Sequence, residues 1–492
     1  MDDNQLTLLR ELQKENEWWT TGKVSPELSK TFRRADFYPY RELLNEPYAK
    51  VVVGPRRVGK STVLYQLVDY LIQKMEIQPN RIIFMSLERP FFSMVKNPIK
   101  ESLHVFEENI LKESLESLKE PVYVFLDEAS RSEGWALEVK EYFDRKYKVR
   151  FFITGSSSPA LFAKSSESLV GRHSPLIMLA LKFSDVIKLD NNPQLEKLLA
   201  LAGKAALRNS FLEAVEKNDP KKFYETAKGL YVTFGPQGET AIQLLLNKYL
   251  LRGGYPEFYE THISWNEASK TMREAYFDAI ISYDLLRVFK SRNPEKIKQL
   301  YTFLGVYTAQ QVNLTNMCRD IGISRTALND YLFQLQQTYL IKVMRPYKKN
   351  KIKIGNDLKK IYVGDVGMRN AVLGIIEEEI TDTALLGRLA ETVAQDHTLR
   401  LKYNLDKKSE CETFFWKSGN KEVDIILEMA GKIIPIESKY AEQIHSEDVQ
   451  ELHSATTQKN CPFGILLTKK SFQYDEKDKT ISMPLWLYLL MC

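Results

Sequence analysis

Apolar residues follow two different periods in the first part of the chain. The run Val51–Val53 is continuous and β-branched, and the apolar residues after it recur at helical spacing, at Val63, Leu64, Leu67, Val68, Leu71 and Ile72. Two more continuous apolar runs, in PVYVFLDEAS (121–130) and VRFFITGSSS (149–158), are typical of strands buried on both faces. The pattern predicts an α/β domain built on a parallel sheet.

A glycine-rich loop joins the first of these strands to the first long helix. It has the form GxxxxGK[ST], and its candidate nucleotide-binding residues are Gly54, Pro55, Arg56, Arg57, Val58, Gly59, Lys60, Ser61 and Thr62. Backbone N–H groups of such a loop surround a phosphate chain at a helix N-terminus, while the lysine reaches the β- and γ-phosphates. The hydroxyl of Ser61 would ligate Mg²⁺. The loop therefore predicts a site for ATP and Mg²⁺.

Polar residues end the two later apolar runs. Asp127 and Glu128 follow the first of them, at the carboxyl end of a strand, where ligands of parallel sheets bind. We expect Asp127 to hold Mg²⁺ and Glu128, on the alternate face, to polarise the attacking water. Ser156, on the adjacent strand, is placed to sense the γ-phosphate. The alternative is that the two acids only end a strand and cap the next helix.

An arginine follows in the segment SLVGRHSP. Arg172 could act as a catalytic finger in the site of a neighbouring subunit, because such a group stabilises transition-state charge. That role would imply a homo-oligomer. An ordinary surface arginine is the alternative.

The middle of the chain carries a helix-turn-helix pattern. Residues 314–320 predict one short helix, Gly322 the turn, and Ser324 the cap of a second helix, before a wing strand at 339–343. Eight Lys or Arg residues and one Asp lie between 342 and 360. One interpretation is a winged helix on the phosphate backbone of DNA, including sequence-specific binding as a transcription factor. The alternative is a lid that packs on the nucleotide domain, with a solvated lysine run.

A hairpin with opposed acids stands near the C-terminus, in EVDIILEMAGKIIPIESKY (422–440). A two-residue turn at Ala430-Gly431 would set Asp424 opposite Glu437, and like charges directly opposed destabilise a sheet. A divalent cation between the carboxylates would turn repulsion into coordination. Lys439, on the same face, could then stabilise charge on a phosphate. The alternative is an Asp424–Lys439 ion pair with Glu437 exposed at a sheet edge.

Composition limits the class of protein. With 492 residues, 44% of them apolar and 27% charged, the chain is globular and long enough for two to four domains. The net charge of +5 does not by itself indicate a nucleic-acid partner. Four scattered cysteines argue against zinc or disulfides, and we see no signal peptide or membrane span. We expect a cytoplasmic protein without a membrane partner.

The motifs together resemble a known family. GPRRVGKST, LDEA, ITGSSS and LVGR, in this order, resemble archaeal-type ATPases of the AAA+ superfamily that carry a C-terminal domain of the DUF4143 type. LLRGGYPEF, KKIYVGDVGMRNAV, GRLAETVAQD and the hairpin continue the match. The chain departs at LALKFSDV, where the family tends to have PLSFxE, and its residues 187–245 read as an inserted helical segment.

The resemblance implies a P-loop core, a helical or winged-helix middle and a restriction-endonuclease-like C-terminal domain. Pro256 resembles the proline that contacts adenine in related signal-transduction ATPases. Asp424, Glu437 and Lys439 resemble the D…ExK arrangement of a metal-dependent phosphodiesterase, and Glu391 would supply the acid of the preceding helix as a further metal ligand. Asp365 is taken as structural.

These expectations define five segments. They are an N-terminal helical or extended segment (1–48), the ATPase core (49–186), a helical insertion and lid (187–260), a winged-helix-like domain (261–347) and a nuclease-like domain (348–492). The predicted function is an ATP-hydrolysing ATPase coupled to a DNA-binding or DNA-cleaving domain that uses Mg²⁺ or Mn²⁺. The alternative is an ATP-dependent signalling switch of the STAND type, whose C-terminal domain binds a protein partner or DNA without cutting it.

Overall fold

The computed structural model describes residues 3–156, 173–201, 204–260, 263–289, 291, 293–347, 358–405, 411–419, 421–444, 446–457 and 461–492. Arg172 and most of the basic run 342–360 lie outside these ranges, so the predictions on them stay predictions. The chain divides into two compact units. The first consists of Met1–Leu179 with Gln337–Tyr339, and the second of Ala180–Gln336 with Leu340–Cys492.

A five-stranded sheet forms the centre of the first unit. Its strands are β1 (Ala49–Val53), β2 (Ile82–Ser86), β3 (Val122–Asp127), β4 (Val149–Gly155) and β5 (His173–Ile177), in the order β2-β3-β4-β1-β5. Every neighbouring pair is parallel, which confirms the predicted parallel sheet. The helices of this unit after the first strand are Lys60–Gln73, Pro90–Met94, Pro98–Phe106 and Trp135–Asp144, with short 3₁₀ or π turns at Pro79–Arg81, Glu107–Leu111 and Ala129–Arg131.

The N-terminal segment covers one edge of this sheet. It contains the helices Asp3–Glu15, Trp18–Thr21, Pro26–Ser29 and Phe37–Glu42. The buried amide of Asn16 donates to the Phe84 carbonyl (2.9 Å) and accepts from the Phe84 N–H (2.7 Å), as a neighbouring strand would. The indole N–H of Trp19 donates to the Ile82 carbonyl at 2.8 Å. Side chains thus satisfy the backbone of β2, which would otherwise be an open edge.

Helices open the second unit. They span Phe183–Leu189, Pro193–Leu201, Lys204–Lys217, Lys221–Arg252, Glu257–Glu260, Trp265–Thr271 and Leu286–Phe289, with π-helical segments at Met272–Phe277 and Ile280–Leu285. The predicted helical segment after residue 187 is therefore present, and its Leu195 and Leu199 are buried. The longest helix bends at Gly235-Pro236, where Gly235 has a φ of 60°.

A three-stranded antiparallel sheet with three helices follows. The helix Pro294–Val306 precedes β6 (Gln310–Asn313), and the helices Leu314–Ile321 and Arg325–Gln337 precede β7 (Ile341–Met344) and β8 (Leu358–Val363). The sheet order is β6-β8-β7. Gly322 ends the first helix of the pair with a φ of 69°, and the Ser324 hydroxyl accepts from the Ala327 N–H at 3.1 Å. The two helices and the turn lie where the sequence predicted them.

The last part of the second unit is a six-stranded mixed sheet. Its strands are β9 (Cys411–Ser418), β10 (Lys421–Met429), β11 (Lys432–Lys439), β12 (Gly464–Thr468), β13 (Gln473–Asp475) and β14 (Thr480–Pro484), in the order β13-β14-β12-β11-β10-β9. β9, β10 and β11 are antiparallel, whereas β12 runs parallel to β11 and to β14. The helices are Val366–Leu373, Thr383–Leu405, Ser446–Thr456 and Leu485–Leu489, with a 3₁₀ turn at Glu377–Thr381.

The hairpin of β10 and β11 has the predicted register. Ile425 pairs with Ile436 and Met429 with Lys432. The two turn residues, Ala430 and Gly431, have φ values of 51° and 74°, as a type I′ turn requires. Across the described ranges, we find no helix long and apolar enough to cross a membrane.

Candidate functional site

The glycine-rich loop lies between β1 and the helix that begins at Lys60. A Cβ atom on Gly54 would lie 1.9 Å from the Met178 carbonyl oxygen, so only glycine fits beside this neighbouring segment. Gly59, with a φ of 95°, turns the chain into the helix. The buried Lys60 ammonium donates to the carbonyls of Gly54 (3.1 Å) and Pro55 (2.9 Å). The loop therefore curls around its own lysine.

Arg34 supports the loop from the N-terminal segment. Its buried guanidinium donates to the carbonyls of Val58 (2.6 Å) and Leu179 (2.7 Å) and to the Asp36 carboxylate (2.6 Å). The bond to Val58 fixes the loop backbone just before Gly59, and the other two bonds hold the guanidinium in place. Sequence reasoning missed Arg34, because no motif surrounds it.

A hydrogen-bonded network links the ends of three neighbouring structural elements. The Ser61 hydroxyl donates to Asp127 Oδ2 (2.7 Å), and the Thr154 hydroxyl donates to Asp127 Oδ1 (2.5 Å). Thr154 Oγ1 in turn accepts from the Glu128 N–H at 2.8 Å. Burial, followed by the charge of Glu128, raises the pKa of Asp127 to about 6, against the lowering effect of the two hydroxyl donors.

Glu128 is held in an unusual backbone conformation. Its φ of 49° is in the left-handed region, which costs a residue with a side chain roughly 1–2 kcal/mol. One carboxylate oxygen lies 3.5 Å from the Lys60 ammonium. The other, Oε2, is buried and has no hydrogen-bond partner within the part of the chain that the structure describes. An acceptor of this kind can bind a water molecule.

The other residues predicted to bind the nucleotide, Ser156 and Pro256, lie in different units. Ser156 directly follows β4 and is half-buried, and Thr154, two residues earlier, is the member of this strand that contacts Asp127. Pro256 precedes the helix Glu257–Glu260 in the second unit. Its contact with adenine stays a prediction. The finger role of Arg172 falls outside the described residues.

The oxygen atoms near Lys60 suit magnesium. The hydroxyl of Ser61 and the carboxylate of Asp127 are hard oxygen donors, 2.7 Å apart, at the N-terminus of the helix that follows the loop. Mg²⁺ prefers one or two such protein ligands, with water and phosphate oxygens as the others. The residues present therefore fit this ion.

The hairpin brings together its predicted side chains. The Asp424 N–H donates to Glu437 Oε2 (3.2 Å), and the Ser438 N–H donates to Asp424 Oδ2 (3.0 Å). The Lys439 ammonium lies 3.1 Å from Glu437 Oε1. Because Glu437 is only 3% exposed, the alternative that places it at an exposed sheet edge is wrong.

A lysine that the sequence analysis did not single out lies within this cluster. The Lys360 ammonium, on β8, is 2.7 Å from Asp424 Oδ1, 2.7 Å from Glu391 Oε1 and 2.9 Å from Glu422 Oε1. The Tyr362 hydroxyl also donates to Glu391 Oε1, at 2.7 Å. The sequence signal is weak, because it is only that Lys360 directly precedes the apolar stretch 361–363 of β8. Its burial, at 2% exposed, is visible only in the structure.

Burial and charge determine the protonation of this cluster. Burial and the neighbouring Asp424 raise the pKa of Glu391 to about 8 and raise that of Glu437 well above its usual range. Burial alone would lower the pKa of Lys360, but the carboxylates of Asp424 and Glu391 outweigh it and raise that pKa. Lys360 therefore stays charged.

The cluster does not fit the divalent cation predicted for it. No group of three or more His, Cys, Asp or Glu side chains in the described ranges is placed to hold a metal ion. Two of the three predicted ligands, Asp424 and Glu391, face the Lys360 ammonium instead. The third, Glu437, is paired with Lys439.

Three domain families match parts of this chain. Residues 46–187 match the AAA domain, and this range contains the parallel sheet and the loop around Lys60. Residues 243–379 and 386–488 match two domains of unknown function, DUF8612 and DUF4143. The AAA match, with the geometry above, supports an AAA-type ATPase. The DUF4143 match agrees with the family type that the motifs resemble.

Two relatives match this chain over most of its length, and neither has a name that states an activity. An uncharacterized protein of Methanocaldococcus jannaschii is 25% identical over 389 residues, 77% of this chain and 71% of the relative. One from Haemophilus influenzae is 22% identical over 441 residues, 88% of this chain and 91% of the relative.

Solved structures show weaker likeness. The Orc1 protein of Aeropyrum pernix in complex with DNA has a TM-score of 0.29 and 10% identity, covering 69% of this chain and 92% of its own. The RuvB Holliday junction branch migration motor of Thermotoga maritima has a TM-score of 0.27 and 13% identity, covering 63% and 89%. Scores this low carry no inference about this chain.

Proposed function

We propose that this protein is an ATPase that binds ATP with Mg²⁺ at the loop 54–62 and hydrolyses it. The observation that carries the proposal is the hydrogen-bonded set of Ser61, Asp127 and Thr154, with Lys60 and Glu128 beside it. These groups combine phosphate binding, metal binding and water orientation at the carboxyl ends of adjacent parallel strands, where ligands of such sheets bind.

Each side chain has a distinct part in this proposal. Lys60 exchanges its bonds to the Gly54 and Pro55 carbonyls for bonds to phosphate oxygens, and the loop N–H groups hold the phosphate chain. Glu128 Oε2 accepts a hydrogen bond from the attacking water, because it is the buried acceptor left over beside Lys60. Bound Mg²⁺, held by Ser61 and Asp127, would neutralise phosphate charge.

ATP binding and hydrolysis, measured separately, test the proposal. Lys60→Ala should lose both, whereas Glu128→Gln should keep ATP binding and lose about 10²-fold or more in hydrolysis rate. Lys23→Ala, which changes an exposed lysine in the same unit, is the control and should behave like wild type. A Glu128→Gln variant that hydrolyses ATP at the wild-type rate would refute the role given to this carboxylate.

For the rest of the chain, the function best supported is a switch that binds a partner without cutting DNA. The pairing of Asp424 and Glu391 with Lys360 favours it over a metal-dependent nuclease. The element order from Pro294–Val306 to β8 supports a winged helix, and the partner would be DNA or a protein. The order from Thr383–Leu405 to β14 supports a restriction-endonuclease-like domain that has kept the fold.

A DNA cleavage assay separates the two functions. Supercoiled, linear and branched DNA would be incubated with the full chain in Mn²⁺ or Mg²⁺, with and without ATP. We expect no cutting, with or without ATP, from wild type and from Asp424→Ala. Cutting that disappears in Asp424→Ala would establish the nuclease and remove the switch proposal.

A further inference from the structure

Lys360 is the link between two parts of the second unit. It lies on β8 of the three-stranded sheet, whereas Asp424 and Glu422 lie on β10 of the six-stranded sheet and Glu391 on the helix Thr383–Leu405. An ammonium group has three N–H donors, and here three carboxylate oxygens lie at 2.7–2.9 Å from the nitrogen. Every donor of Lys360 therefore has a carboxyl oxygen as its acceptor.

We propose that Lys360 is the resident cation of this carboxylate cluster and that its ammonium excludes a divalent metal ion from it. This inference does not depend on ATP hydrolysis at the first unit. In this proposal, the Lys360 ammonium balances the negative charge of the cluster, a role that the opposed acids of the hairpin would otherwise suggest for Mg²⁺ or Mn²⁺.

Competition for the same oxygen atoms is the physical reason. A divalent cation needs several oxygen ligands at about 2.0–2.6 Å, and in this cluster it would have to use Asp424 Oδ1 and Glu391 Oε1. Both already contact the Lys360 ammonium at 2.7 Å. A metal ion bound to them would lie next to a buried positive charge, where repulsion is weakly screened.

The other oxygen atoms of Asp424 and Glu437 are also engaged. Asp424 Oδ2 accepts from the Ser438 N–H, Glu437 Oε2 accepts from the Asp424 N–H, and Glu437 Oε1 pairs with Lys439. Metal binding would therefore have to break backbone hydrogen bonds of the hairpin as well as the Lys360 contacts. Removing the Lys360 ammonium frees three carboxylates, those of Asp424, Glu391 and Glu422, without disturbing those bonds.

Mn²⁺ binding to the nucleotide-free chain, followed by electron paramagnetic resonance of the free ion, tests the proposal. The proteins are wild type, Asp424→Asn, Lys360→Met and the double variant, with Lys359→Met as the control on the neighbouring residue. We expect the wild type, Asp424→Asn and Lys359→Met to bind Mn²⁺ equally. Lys360→Met should gain about one bound Mn²⁺ per chain, and Asp424→Asn in the same chain should remove it.

Two results would overturn the proposal. One is Mn²⁺ binding by the wild type that Asp424→Asn removes, because a metal ion would then coexist with Lys360. The other is a folded Lys360→Met variant, judged by circular dichroism, that gains no Mn²⁺. Should Lys360→Met not fold, the comparison of wild type with Asp424→Asn still decides the question.

Discussion

Replacing Thr154 by valine removes one hydroxyl and nearly preserves side-chain shape, so its effect can be worked out from two hydrogen bonds. The Thr154 hydroxyl donates to Asp127 Oδ1 (2.5 Å) and accepts from the Glu128 N–H (2.8 Å), in a buried environment. A hydrogen bond to a charged group is worth about 1.5–3 kcal/mol, and leaving the Glu128 N–H without its acceptor costs about 1–3 kcal/mol. Thr154→Val therefore weakens the site without touching the loop.

The sign of the pH effect follows from the first of these bonds. The Thr154 donor favours the ionised form of Asp127, so its removal raises the pKa of Asp127 above the value of about 6 that burial sets. Mg²⁺ binding needs the ionised carboxylate. A loss of about 1.5–3 kcal/mol from the charged form corresponds to about one to two pH units. The acidic limb of activity should move toward higher pH by that amount.

The assay is the pH dependence of kcat/KM for ATP hydrolysis with Mg²⁺, which reports the ionisation of the free enzyme. For wild type we expect activity to fall as the pH drops through about 6. Thr154→Ser keeps the hydroxyl and should keep the wild-type profile. A Thr154→Val enzyme whose acidic limb coincides with that of wild type would refute this account of Asp127.

Two further predictions concern stability. Asn16→Ala should lower the free energy of unfolding of the first unit, measured in urea, by about 2–4 kcal/mol, because the Phe84 N–H and C=O lose their partner. The control is Asn4→Ala, at an exposed position. An equal effect of the two substitutions would contradict the edge-capping role of Asn16. Ala430→Asn should slow hydrogen exchange of the hairpin amides about fivefold, because asparagine adopts a positive φ at a cost about 1 kcal/mol lower than alanine does. Ala441→Asn, at an exposed position, should leave the exchange rate unchanged. Unchanged exchange in Ala430→Asn would argue against strain at the turn.

Features set by local sequence were predictable, and features set by distant contacts were not. The parallel sheet followed from continuous apolar runs, and the positions of Lys60 and Asp127 followed from a short motif and a strand end. Thr154 and Arg34 were missed because their contacts, with Asp127 and Val58, join residues 27 and 24 positions apart. The position of Ser156 at the strand end is visible in the sequence and predicts a γ-phosphate sensor, whereas the hydrogen bond of Thr154 to Asp127 is visible only in the structure.

For the hairpin, too, the sequence predicts the local geometry but not the distant group that balances its charge. Its register could be predicted, because a two-residue turn fixes which residues face each other. Opposed acids in a buried position need a cation or a proton between them, and the pattern of the hairpin is the same whether a metal ion or a lysine supplies the charge. The choice depends on Lys360, which comes from a strand 64 residues before Asp424. A tethered ammonium acts at high effective concentration and loses no translational freedom on pairing, so it competes strongly with a dissolved ion for the same oxygens.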